Sequence, residues 1–213
     1  MIEAYIFDFD GTLADSMPTW SEGMMQAIKK SGVEYPENII EILTPLGDVG
    51  GTKYLEKMPG MKYSAEELRQ MVVEYTTPRY LEKVQAKESV IEYVKSLKKL
   101  GKKTAVLTAS AHSRIDGCIK RWGLWDSFDL VRTCDDYAMT KANPKIYDEI
   151  AQELGVEKNK IAFFDDNLEV IRTVKQAGMF AVGVYDESGK GFLDKLMSEA
   201  DVFVQKMGDA GIL

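Results

Sequence analysis

The sequence IFDFDGTL, residues 6–13, decides how the rest of the chain is interpreted. The apolar run from Tyr5 to Phe7 predicts a short buried strand, which leads Asp8 and Asp10 into a Gly-Thr turn. Carboxylates at the C-terminal end of a buried strand lie where open α/β sheets place their ligands. Two neighbouring carboxylates repel each other, so the pair favours a cation or a proton between them. An ordinary acidic turn explains these residues equally well, and the sequence downstream must decide.

The composition of the 213-residue chain is that of an ordinary globular protein, with 45% hydrophobic and 29% charged residues. The formal net charge of −7 argues against a nucleic-acid surface, which would show a basic stripe. Cys118 and Cys134 have no metal-ligand or redox spacing, and free thiols suit a reducing compartment. Acidic residues near the N-terminus argue against a signal peptide, and no apolar run approaches the roughly 20 residues that span a bilayer. We therefore expect a cytoplasmic protein with neither a nucleic-acid nor a membrane partner.

Strands and helices alternate over most of the chain. Apolar runs predict strands at residues 5–7, 103–108, 128–132, 161–164, 180–185 and 202–204. Amphipathic segments predict intervening helices at residues 90–100, 112–122, 144–154 and 167–177. Such alternation is typical of a doubly wound, mostly parallel, Rossmann-like α/β sheet with helices on both faces.

The stretch after the first predicted strand has a different character. From Met17 to Val84 the sequence shows no convincing strand, and residues 17–31 have helical spacing that Gly32 ends. Ser64 and the glutamates after it predict a capped start for another helix. We therefore expect an α/β core of residues 1–15 and 86–213, interrupted by a helical insertion of residues 16–85.

Three more polar groups follow predicted secondary structure. The second strand ends in Thr108, Lys141 precedes a helix start, and the apolar strand before Asp165 and Asp166 ends in paired carboxylates. A strand-end hydroxyl is by itself typical of a turn or helix cap, and a loop lysine is usually solvated. Neighbouring parallel strands lie about 4.8 Å apart, so the two acid pairs can share a hard cation such as Mg²⁺.

In this order, the four segments resemble the motifs of the haloacid dehalogenase superfamily of phosphotransferases. Residues 8–16 (DFDGTLADS) match the first motif, Thr108 the second, Lys141 the third, and Asp165 with Asp166 the fourth. The helical insertion resembles the subclass with an α-helical cap at that point. The chain departs from the family pattern at Ala142, where relatives often have proline, and at Asn167 and Val170, where many have serine and glycine.

The resemblance implies a Mg²⁺-dependent phosphatase that acts on a small phosphorylated metabolite, as a monomer or weak dimer. In such an enzyme Asp8 would be the nucleophile and Asp10 the proton donor and acceptor. The metal would be held by Asp8, the backbone carbonyl of Asp10 and Asp166, with help from Asp165. The phosphoryl group would be bound by Gly11, Thr108, Ala109 and Lys141. Relatives that cleave carbon–halogen bonds lack the second aspartate, so Asp10 favours phosphoryl transfer.

The substrate is less well indicated. Residues 15–18 (DSMP) and 45–50 (PLGDVG) resemble the branch that contains phosphoglycolate phosphatases, but they also fit ordinary helix connections. Five side chains are candidates to face the leaving group, with packing or an exposed helical turn as the competing interpretation: Trp20 and Lys53 in the cap, and Ser110, His112 and Arg114 in the core.

Two other functions compete with the phosphatase. A sugar-phosphate mutase of the β-phosphoglucomutase type shares core and cap, but it uses a cap histidine after the first motif to shield Asp10 from water. Here that position is Trp20, and the single histidine, His112, lies beyond the second motif. A phospho-accepting signalling domain also combines aspartates, a threonine and a lysine. Its acid pair, the counterpart of Asp165 and Asp166, follows the first strand, and it lacks a helical insertion. Both the order of the motifs and the length of the chain therefore count against this function.

Overall fold

The computed structural model describes residues 1–213. Its centre is a six-stranded sheet in which every neighbouring pair is parallel and the strand order is β3-β2-β1-β4-β5-β6. The strands are β1 Ala4–Phe7, β2 Lys103–Thr108, β3 Leu130–Thr133, β4 Ile161–Asp165, β5 Phe180–Val184 and β6 Val202–Val204. The predicted doubly wound, parallel α/β fold is confirmed.

The inner strands are apolar throughout because both faces of a parallel sheet are covered. All residues of β1 and β4 are buried. On one face, Phe7 packs against Phe164 with ring centroids 4.8 Å apart, and Tyr93 contacts both rings. On the other face, Ile6 and Phe163 belong to a second buried cluster. These two apolar layers fix the register of the strands, and the register places the polar residues that follow them.

The chain folds as two compact units. Met1–Asp15 and Gln85–Leu213 form one, called here the sheet unit, and Ser16–Val84 form the other, called the helical unit. The sequence predicts the insertion over residues 16–85. No helix of either unit combines the length and the apolar composition needed to span a membrane.

The helical unit contains α1 Met17–Ser31, α2 Ile39–Leu43, α3 Gly47–Glu56 and α4 Ala65–Glu82. Gly32 ends α1 with φ of +69°, a conformation that glycine adopts without strain. Ser64 begins α4 through a capping box with Glu67, as the sequence predicts. Residues from these helices share one apolar cluster, which includes Trp20, Met24, Ile28, Leu43, Leu68 and Val72.

The sheet unit adds α5 Val90–Lys99, α6 His112–Arg121, α7 Lys145–Leu154, α8 Leu168–Gln176 and α9 Leu193–Glu199. Strand β3 lies later than the predicted residues 128–132, because Thr133 pairs with Thr108 whereas Phe128 follows a short 3₁₀ turn. The sequence did not predict α9 or the 3₁₀ turn Glu187–Phe192 before it.

Candidate active site

Three carboxylates meet where β1 and β4 end. Phe7 pairs with Phe164, and the Asp8 N–H donates to the Phe164 carbonyl at 2.9 Å, so Asp8 and Asp165 leave adjacent strands side by side. Asp166 joins them, and one oxygen from each of the three carboxylates lies within 4.8 Å of the others. Two hydrophobic strands thus bring together acids that are far apart in sequence.

The ammonium of Lys141 is the cation of this group. Its Nζ lies 2.7 Å from Asp8 Oδ1 and 2.7 Å from Asp165 Oδ2; both aspartates are buried, and the lysine side chain is 11% exposed. The other Asp165 oxygen accepts the Asn167 N–H at 2.8 Å. The Tyr147 hydroxyl donates to the Lys141 carbonyl at 2.8 Å and holds the lysine's segment near α7. Both oxygens of Asp165 therefore have partners within the protein.

Burial and the crowding of charge raise the pKa values of Asp8 and Asp166. The pKa of Asp8 is raised to about 7, chiefly by burial; the Lys141 ammonium lowers it, whereas the charges of Asp165 and Asp10 raise it. Burial and then the charges of Asp165 and Asp8 hold the pKa of Asp166 well above its usual range, although part of that side chain is accessible. Burial lowers the pKa of Lys141, but Asp165 and Asp8 reverse the shift and leave it well above the usual value. The group is therefore short of positive charge.

The turn after β1 is packed directly against Asp166. Gly11 has φ of +77°, and a Cβ at this position would lie 2.6 Å from Asp166 Oδ2. The conformation favours glycine, and any other residue would also displace the Asp166 carboxylate. The buried hydroxyl of Thr12 donates to Asp166 Oδ1 at 3.0 Å. The turn therefore fixes the position of the Asp166 carboxylate as well as that of Asp10.

The carboxylate of Asp10 lies apart from the three acids, at the end of β2. It accepts a hydrogen bond from the Ser110 hydroxyl. The Ser110 N–H donates to Thr108 Oγ1 at 3.1 Å, and both Ser110 and Thr108 are buried. Ala109, between them, is exposed. The loop after β2 thus presents a hydroxyl and an exposed backbone segment beside the turn that carries Asp10.

The comparisons with known proteins agree with this geometry. Residues 5–184 match the family model of the haloacid dehalogenase-like hydrolases. The chain belongs to this family. Its similarity to YhcW of Bacillus subtilis (strain 168), provisionally named a phosphatase, is 33% identity over 189 residues, or 85% of this chain and 83% of that protein.

Two further proteins extend the comparison. A phosphorylated carbohydrates phosphatase from Thermotoga maritima is 25% identical over 178 residues, covering 84% of this chain and 82% of its own. CbbY from Rhodobacter sphaeroides, in complex with xylulose-1,5-bisphosphate, shares the fold with a TM-score of 0.85 at 20% identity, over 99% of this chain and 97% of that one. Together, the family and its named phosphatases identify the chain as a phosphoric monoester hydrolase of the haloacid dehalogenase type.

Two of the five candidates for leaving-group contacts are buried and donate a hydrogen bond to a carboxylate of the protein. Trp20 lies in the apolar cluster of the helical unit, and its indole N–H donates to Asp48. Ser110 donates to Asp10, so its first role is to orient that carboxylate. These contacts explain why both residues are buried, and any contact with a leaving group stays a prediction.

The other three candidates differ in exposure. Lys53 is exposed on α3, and Arg114 is fully buried on α6. His112, at the start of α6, lies between Asp116 Oδ1, 2.9 Å from Nδ1, and Asp136 Oδ2, 3.0 Å from Nε2. His112 therefore links two carboxylates. For Lys53, Arg114 and His112, a role in substrate specificity stays a prediction.

The sequence did not indicate Lys87, which contacts the turn of the first family motif. Its Nζ donates to the carbonyls of Gly11 at 2.6 Å and Tyr185 at 2.5 Å, and lies 3.0 Å from Asp186 Oδ2. Nothing local distinguishes Lys87 from the chain's other lysines, because all three acceptors lie on segments remote in sequence.

Proposed function

We propose that this haloacid dehalogenase-like protein is a Mg²⁺-dependent phosphatase that hydrolyses a small phosphorylated metabolite through an aspartyl-phosphate on Asp8. The observation that carries the proposal is the group of three carboxylates with the Lys141 ammonium bound to Asp8 and Asp165. A phosphate ester is an anion, so it requires additional positive charge beside this group.

The donors suit a hard divalent cation, since they are oxygen atoms only and three carboxylates share a single ammonium. Asp8, Asp166 and the backbone carbonyl of Asp10 would hold Mg²⁺, which when bound offsets carboxylate–phosphate repulsion and polarises the phosphoryl group. Asp165 has both oxygens occupied by Lys141 and the Asn167 N–H. We therefore assign Asp165 to orienting Lys141 rather than to a free ligand position.

Asp8 provides the nucleophile. One of its oxygens is fixed by Lys141, which leaves the other to attack phosphorus. The new bond joins Asp8 to phosphorus while the bond from phosphorus to the ester oxygen breaks. Water then attacks the aspartyl-phosphate, regenerates the Asp8 carboxylate and releases inorganic phosphate. One difficult displacement is thereby divided into two easier ones.

Asp10 moves the proton in both steps. It donates a proton to the departing ester oxygen and later takes one from the attacking water. The Ser110 hydroxyl bound to Asp10 orients the carboxylate without competing as a base. Thr108, Lys141 and the backbone around Gly11 and Ala109 would receive the phosphoryl oxygens, where hydrogen-bond donors stabilise the charge that spreads over them.

Phosphorylated carbohydrates are the first substrates to test, because one relative is named for hydrolysing them. Hydrolysis is favoured over the mutase reaction, since Trp20 occupies the position of the mutase's cap histidine and is already bound to Asp48. A mutase would convert β-glucose 1-phosphate with catalytic glucose 1,6-bisphosphate into glucose 6-phosphate faster than it released phosphate.

Phosphate release from a panel of phosphorylated metabolites, with Mg²⁺ and with excess chelator, tests the proposal. We expect release from at least one sugar phosphate or smaller ester, which chelator abolishes and Mg²⁺ restores. Asp8→Asn should reduce turnover by at least about a hundredfold with an unchanged circular dichroism spectrum, because an amide is not a competent nucleophile. Full activity in excess chelator, or an Asp8→Asn protein that keeps a tenth of its activity, would sink the proposal.

A further inference from the structure

The ammonium of Lys87 joins two segments beside the candidate active site. Three acceptors surround its Nζ: the Gly11 carbonyl in the turn after β1, and the Tyr185 carbonyl and Asp186 carboxylate after β5. An ammonium has three protons, so each acceptor can receive one. The side chain is only 20% exposed, and that of Asp186 only 8%. An ammonium that donates all three protons and is mostly buried is held more rigidly than the ammonium of an exposed ion pair.

The acceptor in the turn is next to the groups that hold Asp166. The Cα of Gly11 packs so closely on the Asp166 carboxylate that no Cβ fits, and Thr12 donates to the same carboxylate. A shift of the Gly11 peptide would therefore move Asp166. In addition, the Lys87 ammonium lies 3.0 Å from the Asp186 carboxylate, so the same side chain ties the segment after β5 to the turn.

We propose that Lys87 is a positioning residue for the phosphatase reaction, which holds the Gly11 carbonyl so that the turn keeps Asp166 in place to bind a divalent cation. The inference rests on the proposed function for its kinetic part only. Lys87 itself touches neither the three acids nor Asp10. It acts through the Gly11 peptide.

A cavity beside Lys87 makes this role testable by chemical rescue. The cavity has a volume of about 240 Å³, and its lining includes Lys87, Thr12, Val184, Lys206 and Met207. Replacing Lys87 by alanine removes three methylene groups and the ammonium, the equivalent of propylammonium. That ion is small enough to enter the enlarged cavity and can donate the same three hydrogen bonds.

Lys206 supplies a matched control. It lines the same cavity, but its Nζ pairs with the exposed Glu88 at 2.6 Å. Lys87→Ala and Lys206→Ala therefore remove the same chemical group from one cavity, and only the first affects the Gly11 peptide. Lys87→Met serves as a second variant, because its apolar stem preserves packing if Lys87→Ala fails to fold.

The experiment measures kcat and KM with Mg²⁺, and Mn²⁺ binding to the protein alone by electron paramagnetic resonance. For Lys87→Ala and Lys87→Met we expect kcat/KM and Mn²⁺ affinity to fall by at least about tenfold, the size expected when hydrogen bonds from a charged group are lost. Lys206→Ala should stay within about twofold. Propylammonium should restore the kcat/KM and the Mn²⁺ affinity of Lys87→Ala. Tetramethylammonium, which has the charge but no N–H, should restore neither.

Wild-type Mn²⁺ affinity and turnover in folded Lys87→Met would overturn the inference, as would equal rescue by tetramethylammonium. If the wild-type protein releases no phosphate from any substrate, the proposed function fails instead. The Mn²⁺ measurement then still decides whether Lys87 positions Asp166.

Discussion

At the scale of single residues, the position of Asp166 lowers the stability of the folded protein. Its carboxylate accepts a hydrogen bond from the Thr12 hydroxyl, but the other charged groups of its cluster are the carboxylates of Asp8 and Asp165. Burial and these neighbouring charges hold the pKa of Asp166 well above its usual range. The proposed divalent cation would offset this repulsion when it binds.

Asp166→Asn should therefore stabilise the metal-free protein. The amide keeps the oxygen that accepts from Thr12 and removes the charge. A carboxyl whose folded pKa is raised loses stability as pH rises above its unfolded pKa, so the gain should be largest near pH 8 and should vanish near pH 4. We expect the Tm to rise by about 2–4 °C at pH 8, equivalent to about 1 kcal/mol in a chain of this size.

Calorimetry in chelator at both pH values checks this expectation. Glu37→Gln is the control, because it removes one charge from an exposed position. A lower Tm for Asp166→Asn than for Glu37→Gln at pH 8 would show that the acid cluster is not repulsive.

At the scale of secondary-structure elements, His112 links the start of α6 to the turn after β3. Asp116 lies on α6, and Asp136 lies in the 3₁₀ turn Cys134–Tyr137, where it also accepts the Thr133 N–H at 2.7 Å. Thr133 pairs with Thr108, so the link lies close to the loop that carries Ser110. Only the imidazolium form can donate from both ring nitrogens to both carboxylates.

The pKa of His112 should therefore lie above the ordinary value of about 6.5. Burial lowers this pKa, but the hydrogen bonds and charges of Asp116 and Asp136 raise it by more. Because the folded pKa is the higher one, the link's contribution to stability is complete below the unfolded pKa and is lost as pH rises through the folded pKa.

The protein contains one histidine, so its ring protons can be followed by NMR without assignment. We expect titration above pH 6.5 in the wild-type protein and a lower midpoint in Asp136→Asn, which removes one charge. A wild-type midpoint below 6.5 would contradict the bridging geometry.

The elements also show what the sequence reveals and what it hides. The bounds predicted for β2, β6 and α1 are those of the structure, because each has a clear apolar pattern and Gly32 ends α1. The proximity of Asp8 and Asp165 was predictable, since both follow apolar strands of a parallel sheet. Lys87 was not predictable, because Gly11 and Asp186 are 76 and 99 residues away and only the tertiary fold brings them together.

Trp20 shows the limit of an argument from family position. Its helical spacing with Met24 fits a packing role equally well, and the structure places both in the apolar cluster of the helical unit. A large aromatic side chain gains more from this burial than from partial exposure.

At the scale of the whole molecule, a chain of net charge −7 must bind an anionic phosphate ester. The overall field opposes the approach of such a substrate, so local positive charge must compensate. Lys141 provides one ammonium, and two carboxylates already bind it. This balance of charge is why we propose a divalent cation beside a nucleophile that Lys141 holds in place.

The most direct test of the central claim is to trap the aspartyl-phosphate on Asp8. Borohydride added during turnover reduces an acyl phosphate to the alcohol, which mass spectrometry detects as homoserine in place of the aspartate. We expect homoserine at position 8 only when substrate and Mg²⁺ are both present, and none in Asp8→Asn. Steady phosphate release with Asp8 unmodified, or with homoserine at position 10 instead, would contradict the claim.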